Sequence, residues 1–418
     1  MLKYTQDNRE DYFDFLKKLV SIKSLPCEEK EVAEFILGEL KKIENISDAF
    51  IDEAGNVIGV IKGTGEGPSI LFDGHMDVVP EGNLEYWKPF EPYNPVIHEG
   101  RMYGRGVADM KTGLAAQFYA FKAIAQYLQK TGEKLSGDLI YTGVVQEEPA
   151  EMFGMGYLIE HTLPEHDLKC DAVFLSEPTY GRIMLGSRGK IELSVKTYGK
   201  AAHSSTPDAG INALLMMAPV LQAIADGEGI NLDPDPYLGE TCITVTNCTV
   251  KPGGNLSTVP DECEIAIDRR FSTAMSEEDL LGEFEAIFAK ATEKNPDFQA
   301  TVEPRYFEET SWTGMTKKVK KWHPAWRIGS ENVYAQKTFK ALEKIGLKVE
   351  VDYSKPGNDG SMTCGLHGIP TIMYCPADGD FCHQEKESVS VKEIEDALDA
   401  YISILTEIYG IDLKEFDE

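Results

Sequence analysis

Residues 69–80 read SILFDGHMDVVP, an apolar run with the character of a buried strand that ends by presenting His75 and Asp77. Side chains alternate faces along a strand, so positions 75 and 77 point the same way. Such a pair is either a hydrogen-bonded loop pair or part of a metal site, and the rest of the chain has to decide between them. Outward from this stretch, short apolar strands alternate with helices: VIGVI at 57–61, a long helix from Thr112 to about Tyr127, DLIYTGVV at 138–145, a helix near Gly156 to His161, and DAVFLSE at 171–177. Upstream, Tyr12, Phe13, Leu16, Leu19 and Val20 recur at helical spacing, as do Val32, Phe35, Ile36 and Leu40. This is the pattern of an α/β fold, a mostly parallel sheet with helices on both faces.

Between 186 and 307 the pattern changes to strand KIELSVKTYG, helix INALLMMAPVLQAIAD, strands CITVTNCTV and CEIAIDRRF, helix SEEDLLGEFEAIFAKATE and strand FQATVEPRY. A β-α-β-β-α-β run of this kind is a complete small domain. After it, SENVYAQKTFKALEKI, GIPTIMYCP and VKEIEDALDAYISILTEIYG return to the first pattern. The expected organisation is therefore a catalytic domain in two parts, 1–185 and 308–418, interrupted by an inserted domain at 186–307.

Composition narrows the classes of function. With 418 residues, 42% of them hydrophobic, the chain can bury two cores. Asp and Glu number 70 against 41 Lys and Arg, a formal charge of −29, which argues against nucleic acid or anionic membrane as partners. The N-terminal MLKYTQDNREDYFDFLKKLV has no apolar core of the kind a secretion signal needs, and no later stretch reaches the length of a membrane span. A cytoplasmic protein is expected. The eight cysteines include no C-x-x-C pair, which fits reduced thiols better than a disulfide frame.

In an open α/β sheet, ligands bind outside the carboxyl ends of the strands. His75 and Asp77 follow SILFDG, Glu147 and Glu148 follow LIYTGVVQ, Glu177 follows AVFLS, His383 follows TIMYCPADGDFC, and Asp109 stands at the mouth of the Thr112 helix. Each alone reads as a solvated or capping residue. Together they bring two imidazoles and several carboxylates to one edge of one sheet, a donor set suited to zinc or a similar divalent ion.

The elements GHMDVVP, YGRGVADMKTG, QEEPAEMFG, SEPT, GKAAHSSTPDAGINAL and FCHQEKESV resemble, in this order, the acetylornithine deacetylase, succinyl-diaminopimelate desuccinylase and aminoacylase family of dinuclear zinc metallohydrolases. The resemblance implies one metal on His75 and Glu177, a second on Glu148 and His383, and Asp109 bridging them, with a cis peptide after Asp109. It implies Asp77 orienting His75, Glu147 as general base, and an inserted domain that serves as lid and dimer contact. By the same resemblance His203 reaches the active site of a neighbouring subunit to stabilise an oxyanion, and Arg270 binds a substrate carboxylate. Ser257 stands where relatives carry Asn, with Asn255 close by. WTGMTKKVKKWHPAW and GNDGSMTCGLHGIP resemble a little-characterised branch linked to selenium metabolism.

The chemistry accounts for these residue types. Two dications need a bridging anion, and a carboxylate has two oxygens to offer, while an unligated carboxylate beside them can move the proton of the attacking water. The activity implied is hydrolysis of an N-acyl amino acid or small peptide by hydroxide held between two divalent ions, zinc with cobalt or manganese as alternatives, in a homodimer. A metal aminopeptidase or carboxypeptidase, and a binding protein that has lost turnover, stay open, although a free Glu147 has no purpose in the latter. GRGVAD lacks the third glycine of a dinucleotide loop, and H-E-x-x-H and G-x-S-x-G are absent. Cys382 beside His383 is too close in sequence to be its nucleophile partner.

Overall fold

The Ile70–Asp73 strand sits inside the larger of two principal sheets in the computed structural model, which describes residues 1–149, 152–252 and 257–417. Leu139–Gly143 lies on one side of it and Ala172–Leu175 on the other, and Thr371–Met373 comes next; all three pairings are parallel. These four strands are buried at every residue, as strands covered on both faces must be. Antiparallel strands flank the parallel centre, Val57–Ile61 and Asp48–Ile51 on one side and Ile183–Ser187 on the other.

Alternation within the strands shows how both faces are covered. Ile70 and Phe72 enter a core with Phe118, Ile124, Leu398 and Ile402, which come from the helices Thr112–Thr131 and Val391–Tyr409. Leu71, between them, enters a different core with Met155, Leu158, Ile159 and Leu163, from the helical segments spanning 153–165. The helix Val391–Tyr409 starts on a capping box, Ser390 with Glu393, and stops at Gly410 in the left-handed conformation (φ 72°).

The second sheet runs Cys242–Lys251, Glu262–Phe271, Gly189–Tyr198, Gln299–Pro304, all antiparallel. Here the sequence alternates: Ile191, Leu193 and Val195 pack with Ile265 and Ile267 against Met217 and Val220 of the helix Ala213–Asp226 and Leu280, Phe284 and Ile287 of the helix Glu277–Lys294. One covered face and a period of two belong together in an antiparallel sheet.

FQATVEPRY does not continue as one strand. The sheet strand ends at Pro304, and Tyr306–Thr310 turns away to pair with Thr316–Lys320 as a separate ribbon. Proline has no N–H to extend a ladder. The tip of the ribbon docks on the larger sheet's side of the molecule, where the Trp312 indole donates to the Gly55 carbonyl at 3.3 Å and Thr313 Oγ1 donates to the Glu53 carbonyl at 2.7 Å. Gly55 has φ 103°, and a Cβ there would lie 2.3 Å from Trp312 Nε1.

The helix Thr112–Thr131 presses on the strand end that carries Glu177 at Gly113, where a Cβ would stand 2.3 Å from the Ser176 carbonyl oxygen. Gly113→Ala gains up to about 1 kcal/mol of helix propensity but must overpack against backbone, which costs about 1–3 kcal/mol. A lower urea midpoint for the variant is the expected result; an unchanged or higher midpoint would show that this contact relaxes freely.

Candidate metal centre

Because the four central strands are parallel, their carboxyl ends share one edge of the sheet, and the loops leaving that edge bring the acidic and imidazole side chains together. His75, 1% exposed, directs Nε2 to Asp109 Oδ1 at 3.1 Å and to Glu177 Oε1 at 3.8 Å. His383 directs Nε2 to Asp109 Oδ2 at 3.3 Å and to Glu148 Oε2 at 3.2 Å. Asp109 thus gives one oxygen to each imidazole. Glu147 joins them, with donor atoms of His75, Glu147 and Glu177 all within 4.8 Å of one another.

These separations provide a test of whether the residues fit metal ions. Donors 2.0–2.2 Å from a tetrahedral zinc stand roughly 3.3–3.6 Å from each other. The pairs His75–Asp109, His75–Glu177, His383–Asp109 and His383–Glu148 fall around that range, so the side chains fit two ions flanking Asp109. His75, Asp109 and Glu148 also lie within 4.8 Å of one another, but the shorter contacts divide the donors by the two oxygens of Asp109.

Burial and charge pull these groups in opposite directions. For His75 burial is the largest influence and disfavours the imidazolium, yet the hydrogen bond to Asp109 and the charges of Glu177, Asp77 and Glu147 outweigh it and hold the pKa well above its usual value. Hydrogen bonds to Asp109 and Glu148 lift His383 to about 10. Burial also opposes ionisation of Asp109, but its two histidine partners hold it far below the usual carboxylate range. Glu147 and Glu177 go the other way, pushed up by burial and then by a neighbouring carboxylate, Glu177 for the first and Asp109 for the second. A crowd of acids that cannot all ionise without cations is what a cation site requires.

The supporting contacts fix the tautomer and the loops. His75 Nδ1 meets the Asp77 carbonyl at 2.8 Å; a carbonyl only accepts, so Nδ1 carries the proton and Nε2 faces Asp109. The Asp77 carboxylate stands 3.6 Å from that ring and instead accepts from the Glu147 and Glu148 N–H groups, both at 3.2 Å. Its hold on His75 therefore runs through its own backbone oxygen. Next along, the Gln146 N–H donates to Glu29 Oε1 at 3.2 Å, and the Gln146 side chain donates to the Thr310 carbonyl in the ribbon at 2.6 Å. Lys321 donates to the Pro149 carbonyl.

Sequence reasoning passed over the residue that holds Asp109. Glu387, buried, accepts from the N–H groups of Gly106 (2.9 Å), Ala108 (2.7 Å) and Asp109 (3.1 Å) and from Arg105 Nη1 at 2.6 Å. Its place four residues after His383 was the available signal. Glu29 and Asp359 were also missed; burial lifts them to about 8 and about 7. The Asp109–Met110 peptide is cis, as the resemblance implied.

Two expected residues lie elsewhere in this chain. A cavity of about 590 Å³ opens beside Asp109, Glu147, Glu148, Glu177 and His383, and neither His203 nor Arg270 lines it. His203 is exposed, with Nδ1 2.7 Å from Ser205 Oγ, and Arg270 is paired with Asp268 at 2.7 Å. Asn255, two residues before Ser257, lies outside the described residues; the Ser257 carbonyl accepts from Ser204 N–H at 2.9 Å.

Donors arranged in this way belong with hydrolases that use metal ions, and comparison with known proteins agrees. The chain belongs to peptidase family M20/M25/M40, whose sequence model matches residues 71–407. It is 30% identical over 389 residues to the uncharacterised protein YgeY of Escherichia coli K12, covering 93% of this chain and 92% of that one. It is 32% identical over 275 residues to succinyl-diaminopimelate desuccinylase of Sulfurovum, covering 64% and 70%. The fold is shared with the Bacillus subtilis YxeP protein, at a TM-score of 0.68 and 14% identity over 97% of this chain and 99% of that one. The protein is a metal-dependent hydrolase of the peptidase or deacylase kind.

Two outcomes follow from the centre's construction. Glu387→Ala leaves Arg105 buried without its carboxylate and should cost about 3–5 kcal/mol in urea denaturation; a loss below about 1 kcal/mol would mean the clamp is replaceable. With metal chelated, Glu29 and Asp359 bind protons in the folded chain that they release near pH 4 in the unfolded one. Their stabilisation is present below that pH and lost as pH rises through their folded values, so the urea midpoint should fall between about pH 5 and about pH 8. A midpoint that rises over this window would contradict the burial of these acids.

Proposed function

We propose that the chain is a dinuclear metal amidohydrolase that cleaves the amide of an N-acyl amino acid or short peptide to a carboxylic acid and an amine. The observation that carries this reading is Asp109, which turns one oxygen toward His75 and the other toward His383 at 3.1 and 3.3 Å. Glu177 completes one donor set and Glu148 the other. The names of relatives support it: one is a desuccinylase, and the YxeP structure is described as a dinuclear metal binding peptidase. The nitrogen and oxygen donors suit zinc first, with cobalt or manganese as alternatives.

Two dications held by His75, Glu177, Asp109, Glu148 and His383 would supply Lewis acidity toward water and toward the scissile carbonyl. Glu147, left unligated, takes a proton from the attacking water and delivers it to the departing amine nitrogen. Asp77 holds the backbone that aims Glu147 and, through its carbonyl, keeps His75 Nε2 free as a donor. The cavity of about 590 Å³ admits a small molecule.

The partner we infer is a second copy of the chain. Cys242–Lys251 is an edge strand with one neighbour, largely exposed and free of charged side chains until Lys251. Long uncharged edges of that kind are ordinarily covered. Leu214, Leu215 and Leu221 are exposed on the adjoining helix. His203 and Arg270 belong to this same part of the chain and would serve a neighbour's cavity, His203 as an oxyanion donor and Arg270 once released from Asp268. Eight free thiols support a reducing, cytoplasmic setting.

Metal analysis together with a screen of N-acyl amino acids and dipeptides tests the reading as a whole. Glu147→Gln should lower kcat by at least about 10²-fold with two ions still bound, whereas Glu148→Gln should weaken one ion as well. Metal loss in Glu147→Gln with both ions kept in Glu148→Gln would exchange the two roles. For the dimer, inactive Glu147→Gln and His203→Ala chains mixed as verified heterodimers should recover activity, since one cavity then has both groups; no recovery would count against action of His203 across the interface.

A further inference from the structure

A carboxylate that has to accept a proton cannot be tethered by strong hydrogen-bond donors, because each donor stabilises the anion and lowers its basicity. Glu147 conforms to this: among the described residues, no N–H or O–H donates to its carboxylate. Its aim at the metal centre therefore has to come from the main chain that carries it.

That main chain is held residue by residue. The Val145 N–H donates to Asn56 Oδ1 at 3.0 Å, the Gln146 N–H to Glu29 Oε1 at 3.2 Å, and the Glu147 and Glu148 N–H groups to Asp77. Gln146 differs from its neighbours in two respects. Its φ is 53°, in the left-handed region that residues with side chains seldom enter. Its side chain is fully buried, and Nε2 donates to the Thr310 carbonyl at 2.6 Å and to Cys27 Sγ at 3.3 Å. Thr310 pairs with Thr316 in the ribbon, whose tip is docked through Trp312 and Thr313. The residue directly before Glu147 is thus fastened to a segment 164 positions further along the chain. A sparsely populated backbone conformation persists only where its surroundings over-determine it, and this amide tie is part of what does so here.

We propose that Gln146 is a positioning residue for Glu147, its side-chain amide holding, through the Thr310 carbonyl, the backbone conformation from which the free carboxylate reaches the metal centre. This rests on the reading of Glu147 as the group that moves the proton. It gives the ribbon a part in the reaction although no residue of the ribbon lines the cavity.

Gln146→Met tests this, since it keeps the length of the side chain and removes the donor. In the metal-loaded protein kcat should fall at least about tenfold, with KM within about twofold and two ions still bound, because a small misplacement of a reacting group is costly. The decisive comparison is the same substitution in a Glu147→Gln chain, where it should cause no further loss of kcat: the group it positions is already gone. Losses that multiply, a Gln146→Met chain with the original kcat, or loss of an ion from that chain overturns the assignment. Should Gln146→Met fail to fold, Trp312→Ala, which loosens the ribbon outside the metal centre, carries the same comparison. Hydrogen exchange supplies a readout without turnover. Amides of residues 145–148 should exchange faster in Gln146→Met than in the original chain, with other segments unchanged, and equal rates would also overturn the proposal. If exchange behaves as expected and the original chain cleaves no amide, the tie stands and the hydrolase reading falls.

Discussion

One aspartate has to face two ways. Asp109 serves both halves of the centre only if its carboxylate is held edge-on between His75 and His383, and nothing in the glycine-bracketed loop that carries it imposes that orientation. The constraint comes from Glu387, whose two oxygens gather the N–H groups of residues 106, 108 and 109 and the Arg105 guanidinium. A buried anion that accepts from several N–H groups and one guanidinium is both well solvated by protein and hard to move. Because Glu387 follows His383 by four residues, the segment that supplies one imidazole also fixes the carboxylate it must meet.

The same economy of connection runs through the opposite wall. Asp77 spaces His75 with its backbone oxygen and carries the Glu147–Glu148 backbone with its side chain, so two strand ends are joined by one residue. Glu29 extends the arrangement to Gln146, and the ribbon of residues 306–320 grips Gln146 from the other side. Each link is a hydrogen bond donated by an N–H group of a loop residue. Loops that carry chemistry over a rigid sheet need such ties, since their own sequences fix little.

Much of this was legible in the chain itself, for a physical reason. Strands covered on both faces leave unbroken apolar runs, so ILFD, LIYTG and AVFL mark the parallel centre, and the polar residues after each run had to lie at one edge. The alternation of GKIELSVKTY likewise gave away a sheet with one covered face. What stayed hidden depends on tertiary contact: Glu387 and Glu29 act through partners more than a hundred positions away, Asp359 is buried by distant parts of the chain, and no local period marks them. The ribbon at 306–320 was missed because Pro304 ends one strand and Tyr306 starts another, with an apolar pattern running through the break. Asp77 meets His75 through its backbone oxygen, and spacing along the chain does not distinguish that contact from one by the side chain.

The docking of Trp312 on Gly55 also has a meaning for how such chains can diverge. Position 55 is barred to side chains twice, once by a φ of 103° and once by an indole where its Cβ would be. Relief of either bar alone achieves nothing: a smaller residue at 312 still leaves a left-handed turn, and a relaxed turn still meets the ring. The two positions, 257 residues apart, are therefore tied in descent, and a lineage that loses the ribbon is free to place another residue at 55 only if it also rebuilds the turn that Asp52 holds through the Gly55 and Asn56 N–H groups.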